Sequence, residues 1–372
     1  MKILRKVRGQ LANVTLIKAT SLKGIIKRSF RFPIDYYFKK GRCSFPTNIT
    51  MHITFRCNLK CEMCFFKDLA TRKYDELSFS EIQLFIDQIK SEHPGIYLTG
   101  GEPFLRKDLF EIVKYIKRRG LKVGINTNGT LLNREKIEKL LAVKPDYIIF
   151  SIDGPEEIHD NIRGDGVFQK AITNIQNITT YDQKSRPKVF INTVFSESNV
   201  NSLDEIIGIA KETKVDAVFF QHLSFLTKRD IAHHNKFCQE NFKNEEINTY
   251  YSYDIEDDNL GGRILDAAKR MRKLATEEDV KLLIMPDLNE EETSKWYQDV
   301  FSFTGACISP WNTMLISPSG DVTPCPLSYS IKMGNVREQS PQEIWNSEKF
   351  ISFRRLLKEK KMFPGCNRCC KS

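Results

Sequence analysis

The stretch NITMHITFRCNLKCEMC, residues 48–64, carries an alternating apolar run straight into three cysteines, Cys57, Cys61 and Cys64. Alternation over 48–55 predicts a strand. Outward from it the rhythm repeats, with strands expected at 95–100, 122–127, 146–152, 188–195 and 216–222 and helices near 79–91, 107–119, 133–142, 166–180 and 201–213. Ser78 and Ser80 mark one helix start, and SLDE marks another at Ser202. Alternating β and α units imply parallel strands joined by right-handed crossovers. Six such units build an α/β fold, a partial (β/α)6 TIM-like barrel, whose chemistry gathers at the carboxyl ends of its strands. The unusual residues fall there. The cysteines follow the first strand, GGEP (100–103) the second and NTNGT (126–130) the third, while SIDG (151–154) ends the fourth.

The 372 residues, 41% hydrophobic and 28% charged, are those of a chain that folds around a core, which excludes general disorder. No apolar run has the length of a signal peptide or a membrane span, so a cytoplasmic protein is expected. In that compartment the ten cysteines favour metal or cluster ligation over disulfides. Residues 1–42 hold twelve Lys or Arg and one acid, a net +11 against +10 for the whole chain, so the other 330 residues sum to about −1. Four regions are expected: a basic amphipathic amino-terminal segment (1–45), the barrel core (46–224), an insertion or lid with a connecting helix (225–302), and a small cysteine-rich domain (303–372).

The spacing CxxxCxxC puts three thiolates on one loop, enough to wrap a cuboidal [4Fe–4S] cluster while leaving one of its four irons without a protein ligand. Incidental core cysteines fit poorly with a loop as charged as NLK and EM. A structural zinc wants a fourth ligand, and His52 faces back along the strand.

With these residues in place, the chain resembles the radical S-adenosylmethionine (SAM) enzymes from about residue 48 to its end. The resemblance implies that Cys57, Cys61 and Cys64 hold a [4Fe–4S] cluster whose open iron is chelated by SAM. It implies a reductant such as flavodoxin or ferredoxin, reductive cleavage of SAM to a 5′-deoxyadenosyl radical, and hydrogen abstraction from an unactivated C–H bond. It also implies SAM contacts: the amino group at the turn Gly100, Gly101, Glu102 and Pro103, and ribose and carboxylate groups near Asn126, Asn128, Ser151 and Asp153. Arg163, in SIDGPEEIHDNIRG, becomes a partner for the SAM carboxylate. Met63 stands where the family often has an aromatic residue, with a thioether to pack on adenine.

Cys307, Cys325, Cys366 and Cys369 form C-x17-C-x40-C-x2-C, four thiolates that saturate either a second cluster or a zinc ion. The tail from GNVREQ onward resembles the SPASM extension in its shortened form, the twitch domain, which implies one auxiliary [4Fe–4S] cluster on these four, with Cys370 as a substitute for Cys369. Cys43 and Cys238 stand outside both groups and read as ordinary thiols, and HHNKFC (233–238) reads as an exposed loop.

Over 11–30, apolar residues at helical spacing are interleaved with Lys18, Lys23, Lys27 and Arg28, and the aromatic, basic FRFPIDYYFKKGR (30–42) follows. One reading is peripheral docking on an anionic membrane surface, at the inner face; the other is a helix packed across the barrel's open side. Nucleic acid is disfavoured, because no binding module accompanies the charge. Three substrate classes follow: a membrane lipid chain, favoured by this front end; a ribosomally made peptide; and a small sugar or aminocyclitol. A non-catalytic iron–sulfur electron carrier is the alternative of a different class. A long apolar tunnel above the first cluster would speak for the lipid, and a polar pocket against it.

Overall fold

Strands covered by helices on one side and by their own barrel on the other are apolar on both faces, and Tyr147–Ser151 and Ala217–Gln221 are buried almost throughout. The computed structural model describes residues 31–61, 63–64, 66–242, 256–286, 288–298, 306–326 and 330–369. All six expected strands form: β1 (Asn48–Thr54), β2 (Gly95–Gly100), β3 (Lys122–Thr127), β4 (Tyr147–Ser151), β5 (Lys188–Val194) and β6 (Ala217–Gln221). They lie side by side in chain order, every neighbouring pair parallel. The crossovers carry α1 (Phe79–Ile89), α2 (Leu109–Arg118), α3 (Arg134–Val143), α4 (Glu156–Arg163), α5 (Val167–Thr179) and α6 (Glu205–Glu212). This is the expected partial barrel.

Ser78 and Glu81 cap α1 reciprocally, as the sequence predicts. Ser202 does not cap α6, which starts three residues later; its hydroxyl donates to the Asn199 carbonyl at 3.2 Å. The sheet also runs past its six predicted strands. After α7 (Lys228–Phe242) and α8 (Leu260–Glu277), β7 (Leu282–Met285) pairs parallel with β6 and is followed by α9 (Glu290–Trp296). At the other edge β8 (Thr313–Ile316) pairs parallel with β1, then β9 (Asp321–Thr323) and β10 (Gly334–Asn335) complete a ten-stranded sheet ordered β10-β9-β8-β1-β2-β3-β4-β5-β6-β7. HHNKFC is helical, within α7, and His234 and Cys238 are buried, so the exposed-loop reading is corrected.

The outer face of the sheet packs on the helices to form the main core, with Ile49, Leu98, Ile125 and Ile148 meeting α1, α2 and α5. The inner face holds a second, smaller cluster of Tyr147, Ile149, Phe190, Ala217 and Phe219, with Tyr97 packed against it. Gly124 makes that cluster possible: a Cβ there would lie 2.0 Å from the Tyr147 ring.

Residues 31–37 are helical, with Phe32 and Tyr36 buried and Ile34, Tyr37 and Phe38 exposed. They pack on α11 (Glu348–Lys360), which follows α10 (Pro341–Trp345); Lys358 Nζ donates to the Tyr36 carbonyl at 2.7 Å and Arg354 Nη1 to the Gly41 carbonyl at 3.2 Å. The helix read over 11–30 lies outside the described residues. Among those described, no helix is long and apolar enough to cross a membrane.

Candidate active site

β1 brings the chain to the carboxyl edge of the sheet, and the ten residues after Thr54 hold all three thiols. Two missing side chains press the turn after β2 onto this loop. A Cβ on Gly101 would lie 2.2 Å from the Arg56 carbonyl, and one on Gly100, at φ +130°, 2.0 Å from that of Thr54. The close approach allows Gly101 N to donate to Thr54 O and Glu102 N to Arg56 O, each at 2.8 Å.

Glu102 is fully buried beneath this turn. One carboxylate oxygen accepts from Phe104 N (3.1 Å) and the Thr127 hydroxyl (2.8 Å), the other from Asn128 N (2.8 Å). Burial pushes the carboxyl up to about 7, and the three donors pull against that rise. These contacts tie the turn after β2 to β3. Pro103 is buried too and opens the short turn Pro103–Leu105.

The thiols of Cys57, Cys61 and Cys64 are all raised by burial, Cys57 to about 11. Neighbouring thiols add to the rise at Cys57 and Cys64. A cationic metal core offsets both the lost solvation and the mutual repulsion, so this donor set fits the cluster. Cys57 Sγ receives Leu59 N at 3.4 Å and Asn128 Nδ2 at 3.9 Å, and Cys61 Sγ receives Arg163 Nη1 at 3.9 Å. Among the described residues no three His, Cys, Asp or Glu side chains converge on a single-ion site. A cuboidal cluster gives each thiolate its own iron and so holds them farther apart than one ion does.

Arg163 ends α4, a helix hidden in the sequence because only two of its eight residues, His159 and Ile162, are buried. Its Nε donates to Asp153 Oδ2 at 2.6 Å, and the other Asp153 oxygen accepts from Val194 N at 3.0 Å. Asp153 is wholly buried and holds Arg163 in place. Met63 is half-buried against the main core.

Asn126 and Ser151 do face the barrel interior, and they have company that the sequence reading missed. Strand alternation places Thr99, Asn126, Ser151, Asn192 and Gln221 on the inner face near the carboxyl ends of β2 to β6, one from each strand. Below them the stacked Tyr97 and Tyr147 rings (centroids 6.4 Å apart), Phe190 and Phe219 (5.2 Å) form the floor. An amide in the middle of an apolar strand, as in KVFINTVF, is the signal that would have found Asn192.

The second cysteine group gathers residues from before β8 (Cys307), after β9 (Cys325) and after α11 (Cys366 and Cys369). Burial, then Cys307 and Cys325, push the Cys366 thiol far above its usual value, which makes these three neighbours. Cys369 is buried, and Cys370 lies outside the described residues. Arg368, between Cys366 and Cys369, is buried with Nη1 on Asp230 Oδ2 (2.5 Å), Nε on the Trp296 carbonyl (2.7 Å) and Nη2 on the Gln298 carbonyl.

A family model described as the radical SAM superfamily matches residues 51–210, and one described as an iron-sulfur cluster-binding domain, SPASM, matches 307–370. The chain belongs to the radical SAM superfamily. It is an enzyme that uses SAM and a [4Fe–4S] cluster, with auxiliary iron–sulfur ligation in its SPASM-type part, and the electron-carrier alternative gives way. It is similar to the AdoMet-dependent heme synthase of Methanosarcina barkeri, 29% identical over 331 residues that cover 87% of this chain and 88% of the relative. It is also similar to the antilisterial bacteriocin subtilosin biosynthesis protein AlbA of Bacillus subtilis, 25% identical over 313 residues, 81% of this chain and 60% of that one. The fold matches Streptococcus suis SuiB, solved with S-adenosylmethionine, with a TM-score of 0.64 at 17% identity over 89% of this chain and 71% of SuiB. None of these names points to a lipid, so the lipid chain and the membrane surface expected from the amino terminus gain no support.

Proposed function

We propose that this radical SAM enzyme takes hydrogen from a C–H bond of a peptide, with Cys57, Cys61 and Cys64 holding the SAM cluster and Cys307, Cys325, Cys366 and Cys369 an auxiliary one. The observation that carries the peptide is the inner wall, where Thr99, Asn126, Ser151, Asn192 and Gln221 each offer a neutral hydrogen-bonding group and none offers a charge. Peptide groups are neutral donors and acceptors and pair with such a wall. A tetrapyrrole rich in carboxylates wants cations there, and an acyl chain wants an apolar channel. Below that wall the rings of Tyr97, Tyr147, Phe190 and Phe219 pack against one another. Similarity to AlbA, named for subtilosin biosynthesis, supports the peptide reading, while similarity to the heme synthase favours a tetrapyrrole as the competitor.

When bound and reduced, the cluster supplies the electron that breaks the S–C5′ bond of SAM. The chain's own residues bind and aim. The turn at Gly100 and Gly101 lies against the cysteine loop, Asn126 and Ser151 face the interior where SAM and substrate would meet, and Tyr97, Tyr147, Phe190 and Phe219 keep water out from below. The division at 45/46, 224/225 and 302/303 belongs to the same proposal.

Deuterium transfer tests it. Under dithionite, a perdeuterated peptide digest is expected to label 5′-deoxyadenosine, whereas a perdeuterated lipid extract and deuterated iron coproporphyrin are not. Label from either comparator and none from the digest would overturn the peptide, and Cys57→Ser is expected to abolish 5′-deoxyadenosine altogether.

A further inference from the structure

We propose that Arg163 and Asn128 act on the thiolates of the SAM cluster and set its reduction potential, so that neither is primarily a SAM ligand. The inference rests on the reading of Cys57, Cys61 and Cys64 as cluster ligands given above.

Arg163 has little freedom. Its Nε is held at 2.6 Å by a carboxylate that is itself locked, since Asp153 Oδ1 accepts from Val194 N, Asp153 N donates to His159 Nδ1 at 3.1 Å, and the Asp153 carbonyl accepts from Asn199 Nδ2 at 2.9 Å. With that edge of the guanidinium taken, Nη1 lies 3.9 Å from Cys61 Sγ. Asn128 is oriented by its own partners. Its carbonyl oxygen accepts from Thr130 N (2.9 Å) and the Thr130 hydroxyl (2.7 Å), which leaves Nδ2 as the end facing Cys57 Sγ (3.9 Å) and Asn58 Oδ1 (3.0 Å). Leu59 N adds a backbone donor to the same sulfur at 3.4 Å.

Reduction moves one electron from an external donor, dithionite in vitro or a flavodoxin or ferredoxin in the cell, onto the cluster and raises the negative charge shared by its sulfurs. Donors and a fixed positive charge beside those sulfurs favour the reduced state over the oxidised one and raise the potential. The pair Asp153–Arg163 is therefore a positioning device for charge next to Cys61.

The decisive measurement is the midpoint of the reconstituted, SAM-free enzyme, followed by EPR during dithionite titration. Arg163→Gln is expected to make reduction about tenfold less favourable, a shift of about 59 mV to more negative potential for a one-electron couple. Arg163→Lys should recover part of the shift, and Asn128→Ala should move the midpoint the same way by less. A midpoint unchanged within a factor of two, together with a tenfold weaker SAM dissociation constant, would overturn the proposal and return Arg163 to SAM. Where Arg163→Gln fails to hold iron, Asn128→Ala decides by the sign of its shift. A parent protein without an iron–sulfur spectrum would instead overturn the ligand reading beneath it.

Discussion

Gly101 is legible in the sequence as a place where backbones approach closely, and the structure shows that the close partner is the chain itself. The glycine lets the turn after β2 lie on residues 54–56, one step before Cys57, so the cysteine loop inherits its position from a residue without a side chain. Gly101→Ala would drive a methyl group to 2.2 Å from a main-chain oxygen that cannot swing aside. Overpacking of this kind costs about 1–3 kcal/mol, and here it falls on the support of the first cluster. Gly101→Ala is expected to lower both the unfolding midpoint and the iron bound per chain. Gly208, in α6, is the contrast: a Cβ there meets nothing within 4 Å, and Gly208→Ala should stabilise by about 0.5–1 kcal/mol. Thermal unfolding and iron analysis of the two variants side by side check both signs; an indifferent Gly101→Ala refutes the account. Glu102 and Asp153 are legible as important but their partners are not, because a sequence shows which carboxylates are present and not which groups donate to their oxygens.

Among the elements, six strands were readable because alternation and apolar length mark them without reference to anything distant. β7 was not, since LLIM is four unbroken apolar residues without a period of two. α7 escaped because only Asp230, His234 and Cys238 of its fifteen residues are buried, and two of those are polar. Yet α7 anchors the loop of Cys366 and Cys369. Arg368 reaches across to Asp230, and Asn367 Nδ2 donates to the other Asp230 oxygen at 3.2 Å. Removing one partner of a buried pair strands the other charge, which costs about 3–5 kcal/mol. Asp230→Ala is therefore expected to weaken the second cysteine group selectively, with iron per chain falling towards half while the EPR signal of the SAM cluster persists. Equal loss from both clusters would show that α7 supports the whole molecule and not this loop.

At the scale of the whole molecule, the way the two cysteine groups share one sheet is not legible in the sequence, because spacing along the chain says nothing about which strand edges meet. Nor does it show that His159, His222 and His234 are all buried, their imidazoles pushed down to about 4, 3 and 4 by burial. Each has a folded-state value below its unfolded value near 6.5, so each contributes stability that is present above about 6.5 and lost as pH falls towards 4. Glu102 has the opposite sign. Its folded-state value, about 7, is above the unfolded one near 4.5, so its contribution is present below about 4.5 and lost as pH rises towards 7. Between these limits three groups oppose one, and with a single group worth at most about 1.4 kcal/mol per pH unit the histidines win by up to about 3 kcal/mol per unit. The iron-loaded protein is expected to lose stability on going from pH 6.5 to 5. Acid also attacks iron–sulfur centres, so the difference between parent and variant is the telling quantity. His222 Nδ1 shares a proton with the Tyr297 hydroxyl at 3.2 Å, far in sequence from either cysteine group, and His222→Gln keeps a polar atom there without a group that titrates. Its pH slope should be shallower than the parent's by about one proton, about 1.4 kcal/mol per unit, in denaturant titrations at the two pH values. Parallel slopes for parent and variant would mean that His222 takes up no proton on unfolding, and that burial of the imidazole does not govern the acid sensitivity of this fold.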